Sequence, residues 1–295
     1  MLLLASMAYK SRILVVLAFV LALAAGSAFA QSTAATKAAK GSQTAKDGFK
    51  NEDEIRDKFN NWKTDADARE WLKAMGIDAK SVESVVAAKP HGEKADVEIT
   101  VKSIDGATIK QGISIKLVSS ANGFNQIDKT WVSTYAKKWK MPQTVHDALK
   151  LFVGETPPVG TQAASLPVGE EKQPSRLRST TRMYLNELDE ATQKAVLDFF
   201  TEKKDEIVSD LFAGDGEHAA GWMMVAYKAS ADTRWVIRSS ADTIKFFADG
   251  PVEFTRAGNL KIGRITMQRK GGDGGRETAK MLQFKINPVQ LFEAK

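Results

Sequence analysis

The 295-residue chain contains no cysteine. Disulfides, thiolate metal sites and a cysteine nucleophile are therefore excluded. Histidine is scarce as well: His91, His146 and His218 are the only three, far apart in the chain. That argues against a histidine-rich metal cage or a histidine-driven triad. No internal repeat is visible. Acidic residues are outnumbered, 36 against 42 Lys and Arg, giving a formal net charge of +6 and a pI near 9.2. Such mild basicity suits a polyanionic partner without requiring one. What is present is ordinary for a globular protein: 43% hydrophobic, 26% charged and 8% aromatic residues, ample for a buried core.

Residues 1–30 have the form of a secretory signal. Lys10 and Arg12 precede the apolar run Ile13 to Ala25, and Ala28-Phe29-Ala30 matches the small-x-small cleavage pattern. The run is shorter than the roughly 20 residues of a membrane span. It reads as a cleaved signal, with an uncleaved anchor or an upstream extension of the reading frame as alternatives. Residues 31–46, rich in Ala, Ser, Thr and Lys without apolar periodicity, read as a flexible linker. Residues 47–292 read as one domain.

Within that domain Phe49, Ile55 and Phe59 recur at helical spacing, and a second helix around Ala66 to Met75 stops at Gly76. Val97, Ile99 and Val101 then alternate with polar residues, Asp105-Gly106 marks a turn, and a return strand runs through Ile113, Ile115, Leu117 and Val118. Residues 125–139 and 143–152 read as helices, with Trp131, Tyr135 and Trp139 a core-packing stripe. Pro157, Pro158, Pro167 and Pro174 make 155–174 a surface loop. A long helical stretch covers 189–212, and strands are expected at 222–228, 234–238, 261–268 and 282–286. The sum is a single α/β domain with a mixed β-sheet flanked by helices.

The hairpin is where chemistry can reside. Asp96 opens its first strand, and Ser114, Ile115 and Lys116 lie on the second. Residues two apart on a strand share a face, so Ser114 and Lys116 point the same way, and the turn brings that face back to Asp96. A carboxylate beside a lysine can hold Mg²⁺ through oxygen ligands and orient a water towards phosphorus. Spacing alone favours the plainer reading, an ion pair on a solvated strand face.

Two loops offer nucleic-acid contacts. Gln268-Arg269-Lys270-Gly271-Gly272-Asp273-Gly274-Gly275-Arg276 interleaves base-pairing side chains with glycines, although no phosphate-loop or dinucleotide fingerprint is present. From Arg256 to Lys285, eight basic residues face only Asp273 and Glu277, a local excess of +6. On composition, a mobile glycine loop is as good a reading as DNA contact. Asn125, Gln126 and Lys129 follow the hairpin, and taken alone they favour a helix cap and plain surface. His218 has no neighbour at metal-ligand spacing and reads as structural.

These segments carry a resemblance. Thr44-Ala45-Lys46-Asp47-Gly48-Phe49-Lys50-Asn51-Glu52, Lys116-Leu117-Val118-Ser119, Gly123-Phe124-Asn125-Gln126-Ile127-Asp128-Lys129, Gln268-Arg269-Lys270-Gly271-Gly272-Asp273 and Met281-Leu282-Gln283-Phe284-Lys285 resemble the HinP-type type II restriction endonucleases that recognise GCGC. These belong to the PD-(D/E)XK nuclease superfamily. The resemblance spans about Thr44 to Phe292 and implies a restriction-endonuclease-like core acting on double-stranded DNA. It further implies Mg²⁺ as cofactor with no small-molecule cofactor, a monomer or dimer on DNA, and a cognate methyltransferase. It makes Asp96 and the Ile115 carbonyl metal ligands, Lys116 the catalytic lysine, and Glu52 an acid near the metal. It places Ser114 where these enzymes typically carry an amide such as glutamine. Asn125, Gln126, Lys129, Gln268, Arg269, Lys270, Asp273 and Arg276 become the DNA-contacting set. Family members work in the cytoplasm, whereas the leader argues for export. Ser114 and the leader keep two other readings open: a catalytically impaired DNA-binding protein, and an exported, less specific DNase.

Overall fold

Alternation at the hairpin folds as its pattern requires, with Val97, Ile99, Val101 and Ile113 fully buried. The computed structural model describes residues 42–90, 94–159, 181–229, 232–272 and 276–293. The leader, most of the linker, most of the proline-rich segment, His91 and Asp273 lie outside the described residues. Two units divide the chain, one joining Met1–Asp47 with Gly272–Arg276 and the other Gly48–Gly271 with Glu277–Lys295. Of the first, the described part is helical over 42–47, where Gln43 Nε2 donates to Asp47 Oδ1 at 2.8 Å. All that follows concerns the second.

Helix α1 runs over 42–60, taking in residues 42–46 of the expected linker, and α2 covers Ala66–Ala74. Asp65 caps α2 by accepting the Ala68 N–H at 2.9 Å, and Gly76 ends it at φ 77°. Five strands make the first sheet: β1 (Val82–Ala88), β2 (Val97–Ser103), β3 (Thr108–Val118), β5 (Trp222–Ala229) and β6 (Asp232–Ser239). Their order is β1-β2-β3-β5-β6, antiparallel except for β3 against β5. A second, antiparallel sheet has the order β4-β10-β9-β8-β7, with β4 at Asn125–Thr130, β7 at Val252–Phe254, β8 at Leu260–Ile262, β9 at Ile265–Arg269 and β10 at Leu282–Ile286. One core packs Ile55, Phe59, Trp71 and Leu72 of the helices onto Val97, Ile99, Ile113 and Ile115. A larger core joins Met223 and Val225 of β5 to the second sheet through α3 (Val132–Lys138), α4 (Gln143–Val153), α5 (Glu190–Glu202), α6 (Lys204–Ala213) and α7 (Ser240–Ala248).

The fold is mixed α/β, as the pattern predicts, but built on two sheets rather than one. Three local readings change with it. Residues 125–130 form β4, not the start of a helix, because they pair with β10 far along the chain. The helical spacing of Trp131, Tyr135 and Trp139 holds only from Val132 onward, and Tyr135 and Trp139 stack at 4.4 Å in the core. The stretch 189–212 divides into α5 and α6 at Lys203, and 261–268 turns at Gly263, where φ is +56° and a Cβ would lie 2.5 Å from the Phe247 carbonyl.

Gly112 positions the hairpin. A Cβ there would lie 2.3 Å from the Ala219 carbonyl and 3.0 Å from the Ala95 Cβ. Gly112→Ala is expected to cost about 1–3 kcal/mol, the usual range for overpacking. Urea unfolding would measure it, and an unchanged midpoint would show that β3 can yield without cost.

Candidate active site

The hairpin ladder determines the site. Val97 lies opposite Ile113, and the Asp96 N–H donates to the Ile113 carbonyl at 2.9 Å. Beyond that pair β2 ends, and a side chain takes over the ladder: Asp96 Oδ2 accepts the Ile115 N–H at 2.6 Å. The same oxygen accepts from Ser114 Oγ at 3.4 Å and faces Lys116 Nζ at 3.8 Å. Lys116 Nζ also donates to Ser114 Oγ and to the Ile115 carbonyl, both at 3.2 Å. The shared face of Ser114 and Lys116 is thus realised, and Asp96, Ser114, Ile115 and Lys116 form one network. The Lys116 and Asp96 side chains are 15% and 27% exposed, so this is a recessed group rather than an ion pair on an open strand face.

Glu52 joins from α1. Burial raises its carboxyl above the usual range, the Lys89 ammonium pulls it back, and Asp96 pushes it up again. Coupling to Asp96 and Lys116 puts Glu52 near the pair. Lys89 and Lys94 are two contributors that the motifs did not reveal. Lys89 Nζ holds Glu52 Oε2 at 3.0 Å, Asp53 Oδ1 at 3.2 Å and the Phe49 carbonyl at 3.3 Å, fastening α1 to the end of β1. Lys94 Nζ donates to the Ile127 carbonyl at 3.1 Å, joining β4 to the site, and its burial lowers the ammonium pKa. Each acts across more than thirty residues of sequence, so no local pattern marks it. His218 stays structural: its Nδ1 lies 2.8 Å from Glu98 Oε2 and its carbonyl accepts the Ala95 N–H.

The expected DNA contacts are spread over the second sheet and its loop. Gln126 and Lys129 are exposed on β4, while the Asn125 amide is engaged within the chain, donating to the Leu117 carbonyl at 2.9 Å. Gln268 and Arg269 end β9, and Arg269 Nε donates to the Ala279 carbonyl at 3.1 Å. The Lys270 N–H is held by the Met281 carbonyl at 2.9 Å. Arg276 belongs to the other unit.

Among the described residues no group of three or more His, Cys, Asp or Glu is arranged to hold a metal ion. Asp96, the Ile115 carbonyl and Glu52 nevertheless supply only hard oxygen donors. That matches Mg²⁺, which is commonly held by one or two carboxylates together with substrate phosphate and water. Asp96 Oδ1 makes no hydrogen bond within the described chain, so it is available as a ligand, and the donor set fits the ion.

Residues 75–292 match the family described as R.HinP1I restriction endonuclease. Among solved structures, restriction endonuclease MspI in complex with its cognate DNA resembles the chain with a TM-score of 0.52 and 11% identity. The likeness covers 77% of this chain and 80% of that one, and at such low identity it speaks for the fold. No curated protein matches the chain.

Proposed function

Because this chain belongs to the R.HinP1I restriction endonuclease family, we propose that it is a type II enzyme cutting double-stranded DNA with Mg²⁺ at GCGC, from the site formed by Asp96, Ser114, Ile115, Lys116 and Glu52. One observation carries this reading: the Asp96 carboxylate, the Ile115 carbonyl and the Lys116 ammonium converge within 3.8 Å where the hairpin ladder opens. The GCGC site rests on the sequence resemblance.

Asp96, the Ile115 carbonyl and Glu52 would hold Mg²⁺. The ion, when bound, supplies Lewis acidity and neutralises charge at the scissile phosphate. The protein's own groups do the rest. Lys116, fixed by Ser114 Oγ and the Ile115 carbonyl, presents its remaining N–H to a water or to a phosphate oxygen and favours the charge that develops as water attacks phosphorus and one P–O ester bond breaks. Lys89 keeps Glu52 ordered and aimed at the pair. Gln126, Lys129, Gln268, Arg269, Lys270, Asp273 and Arg276 contact the duplex.

Digestion of unmethylated plasmid in Mg²⁺ tests the reading. A fixed ladder of fragments ending at GCGC is expected. Random smearing would instead favour a less specific DNase. Intact plasmid together with a retained gel shift would favour the impaired DNA-binding reading, for which Ser114 is the motivating observation. Its hydroxyl is short, and it is already engaged with Lys116 Nζ and Asp96 Oδ2. Ser114→Gln is expected to raise the single-turnover rate at limiting Mg²⁺ by about three- to tenfold, equivalent to roughly 0.7–1.4 kcal/mol. A rate unchanged across the Mg²⁺ titration would mean that the serine carries no penalty.

A further inference from the structure

The second sheet carries chemistry that the cleavage site does not use. Met267, Leu282, Phe284 and Ile286 on its inner face are fully buried. Alternation turns the intervening side chains to the outer face. The registers align them: Gln283 of β10 lies opposite both Lys129 of β4 and Gln268 of β9, and Lys285 lies opposite Gln126 and Thr266. Gln283 is only 4% exposed, yet among the described residues its amide has no hydrogen-bond partner, and the amides of Gln126 and Gln268 have none either. Lys285 is half-buried, and burial depresses its ammonium with no carboxylate drawing it back.

Groups taken from water without partners are unfavourable, and proteins rarely leave several together. A ligand from outside the chain completes such a face, and its character follows from the side chains. They offer amide donors and acceptors in a row, flanked by uncompensated positive charge, within a stretch where eight basic residues face two acidic ones. Neighbouring strands lie about 4.8 Å apart, so the row Lys129, Gln283, Gln268 spans roughly 10 Å, within the ~12 Å major groove of B-DNA. The face also starts beside the cleavage site, since Asn125 binds the Leu117 carbonyl and Lys94 binds the Ile127 carbonyl.

We propose that this outer face is the base-reading surface, with Gln283 a specificity-determining residue aimed at base edges and Lys285 a contact to the DNA backbone. The inference rests on the reading of the chain as a nuclease of duplex DNA. Gln283 sits between its two row partners and is the only one of the three held almost wholly out of water, so its amide is the least free to turn to solvent instead.

The test uses the full chain and a duplex carrying the cut site mapped from plasmid fragments. Gln283→Met is expected to weaken anisotropy-measured binding to that duplex by about tenfold or more while leaving an unrelated duplex unchanged. Lys285→Met is expected to weaken both and to lower the slope of log Kobs against log salt by about one. Without any substitution, bound duplex should protect Lys285 and Lys129 of the wild-type protein from amine acylation, read by mass spectrometry, which covers a Gln283 variant that fails to fold. Full acylation of Lys285 in the complex, or a folded Gln283→Met with undiminished discrimination, would overturn the proposal. A chain that neither cuts nor binds duplex DNA sinks the nuclease reading instead.

Discussion

Lys116→Ala is expected to lower the single-turnover cleavage rate by at least about 10³-fold, roughly 4 kcal/mol of transition-state stabilisation. Three contacts set that size. Lys116 Nζ is held by Ser114 Oγ and the Ile115 carbonyl at 3.2 Å and stands 3.8 Å from Asp96 Oδ2. The ammonium is therefore a fixed positive charge in a recessed site, not a mobile side chain screened by water. Its removal takes away the one cation of the four-residue network and leaves the carboxylate to repel phosphate. Folding should be nearly unaffected, because the lysine sits on the polar side of β3 while Ile113 and Ile115 fill the core beneath. Duplex affinity, which draws on the second sheet, should change by only a few fold. Single-turnover digestion and anisotropy on one preparation separate these effects. A rate within tenfold of wild type would remove Lys116 from the chemistry, and an equal loss of binding would make it a docking residue. Lys116→Arg should not rescue, since the planar guanidinium cannot occupy the same pair of acceptors as a point charge.

The site was more legible in the sequence than the architecture around it, for a physical reason. A hairpin is local: Val97, Ile99 and Val101 alternate, Asp105-Gly106 closes the turn, and register follows from the pattern of buried residues. The convergence of Asp96 with Ser114 and Lys116 could be read from that register. The side-chain bond from Asp96 to the Ile115 N–H could not, because it depends on β2 ending at Val97. Strand β4 was illegible for the opposite reason. Its partner β10 lies some 150 residues away, and the local aromatic stripe supports a helix. Lys89 and Lys94 were missed because each acts on a carboxylate or carbonyl brought close only by tertiary folding. The division into two sheets rests on the same kind of long-range pairing. Thus the chemistry was legible where it is built on local geometry, and illegible where it depends on long-range contacts.

Asp96→Asn is expected to eliminate cleavage by a comparable factor, about 10³ or more, but with the opposite effect on metal-free DNA binding. The amide is nearly isosteric and keeps an oxygen to accept the Ile115 N–H at the position now 2.6 Å away, so the ladder should close as before. What disappears is the negative charge. Metal affinity falls because a neutral amide oxygen is a much poorer partner for a divalent cation than a carboxylate, and Glu52, already committed to Lys89 at 3.0 Å, cannot compensate without breaking that pair. In EDTA the wild-type carboxylates oppose the scissile phosphate, and removing one of them should tighten duplex binding by roughly fivefold, near 1 kcal/mol, an effect that fades as salt screens it. Calorimetric titration of Mg²⁺ and anisotropy in EDTA at two salt concentrations give both halves of the prediction. A variant that misfolds would lose DNA affinity as well as cleavage, and a variant at a merely structural ion pair would keep its metal response. Only a residue that binds the metal and faces the phosphate gives lost cleavage, lost metal affinity and stronger metal-free binding together.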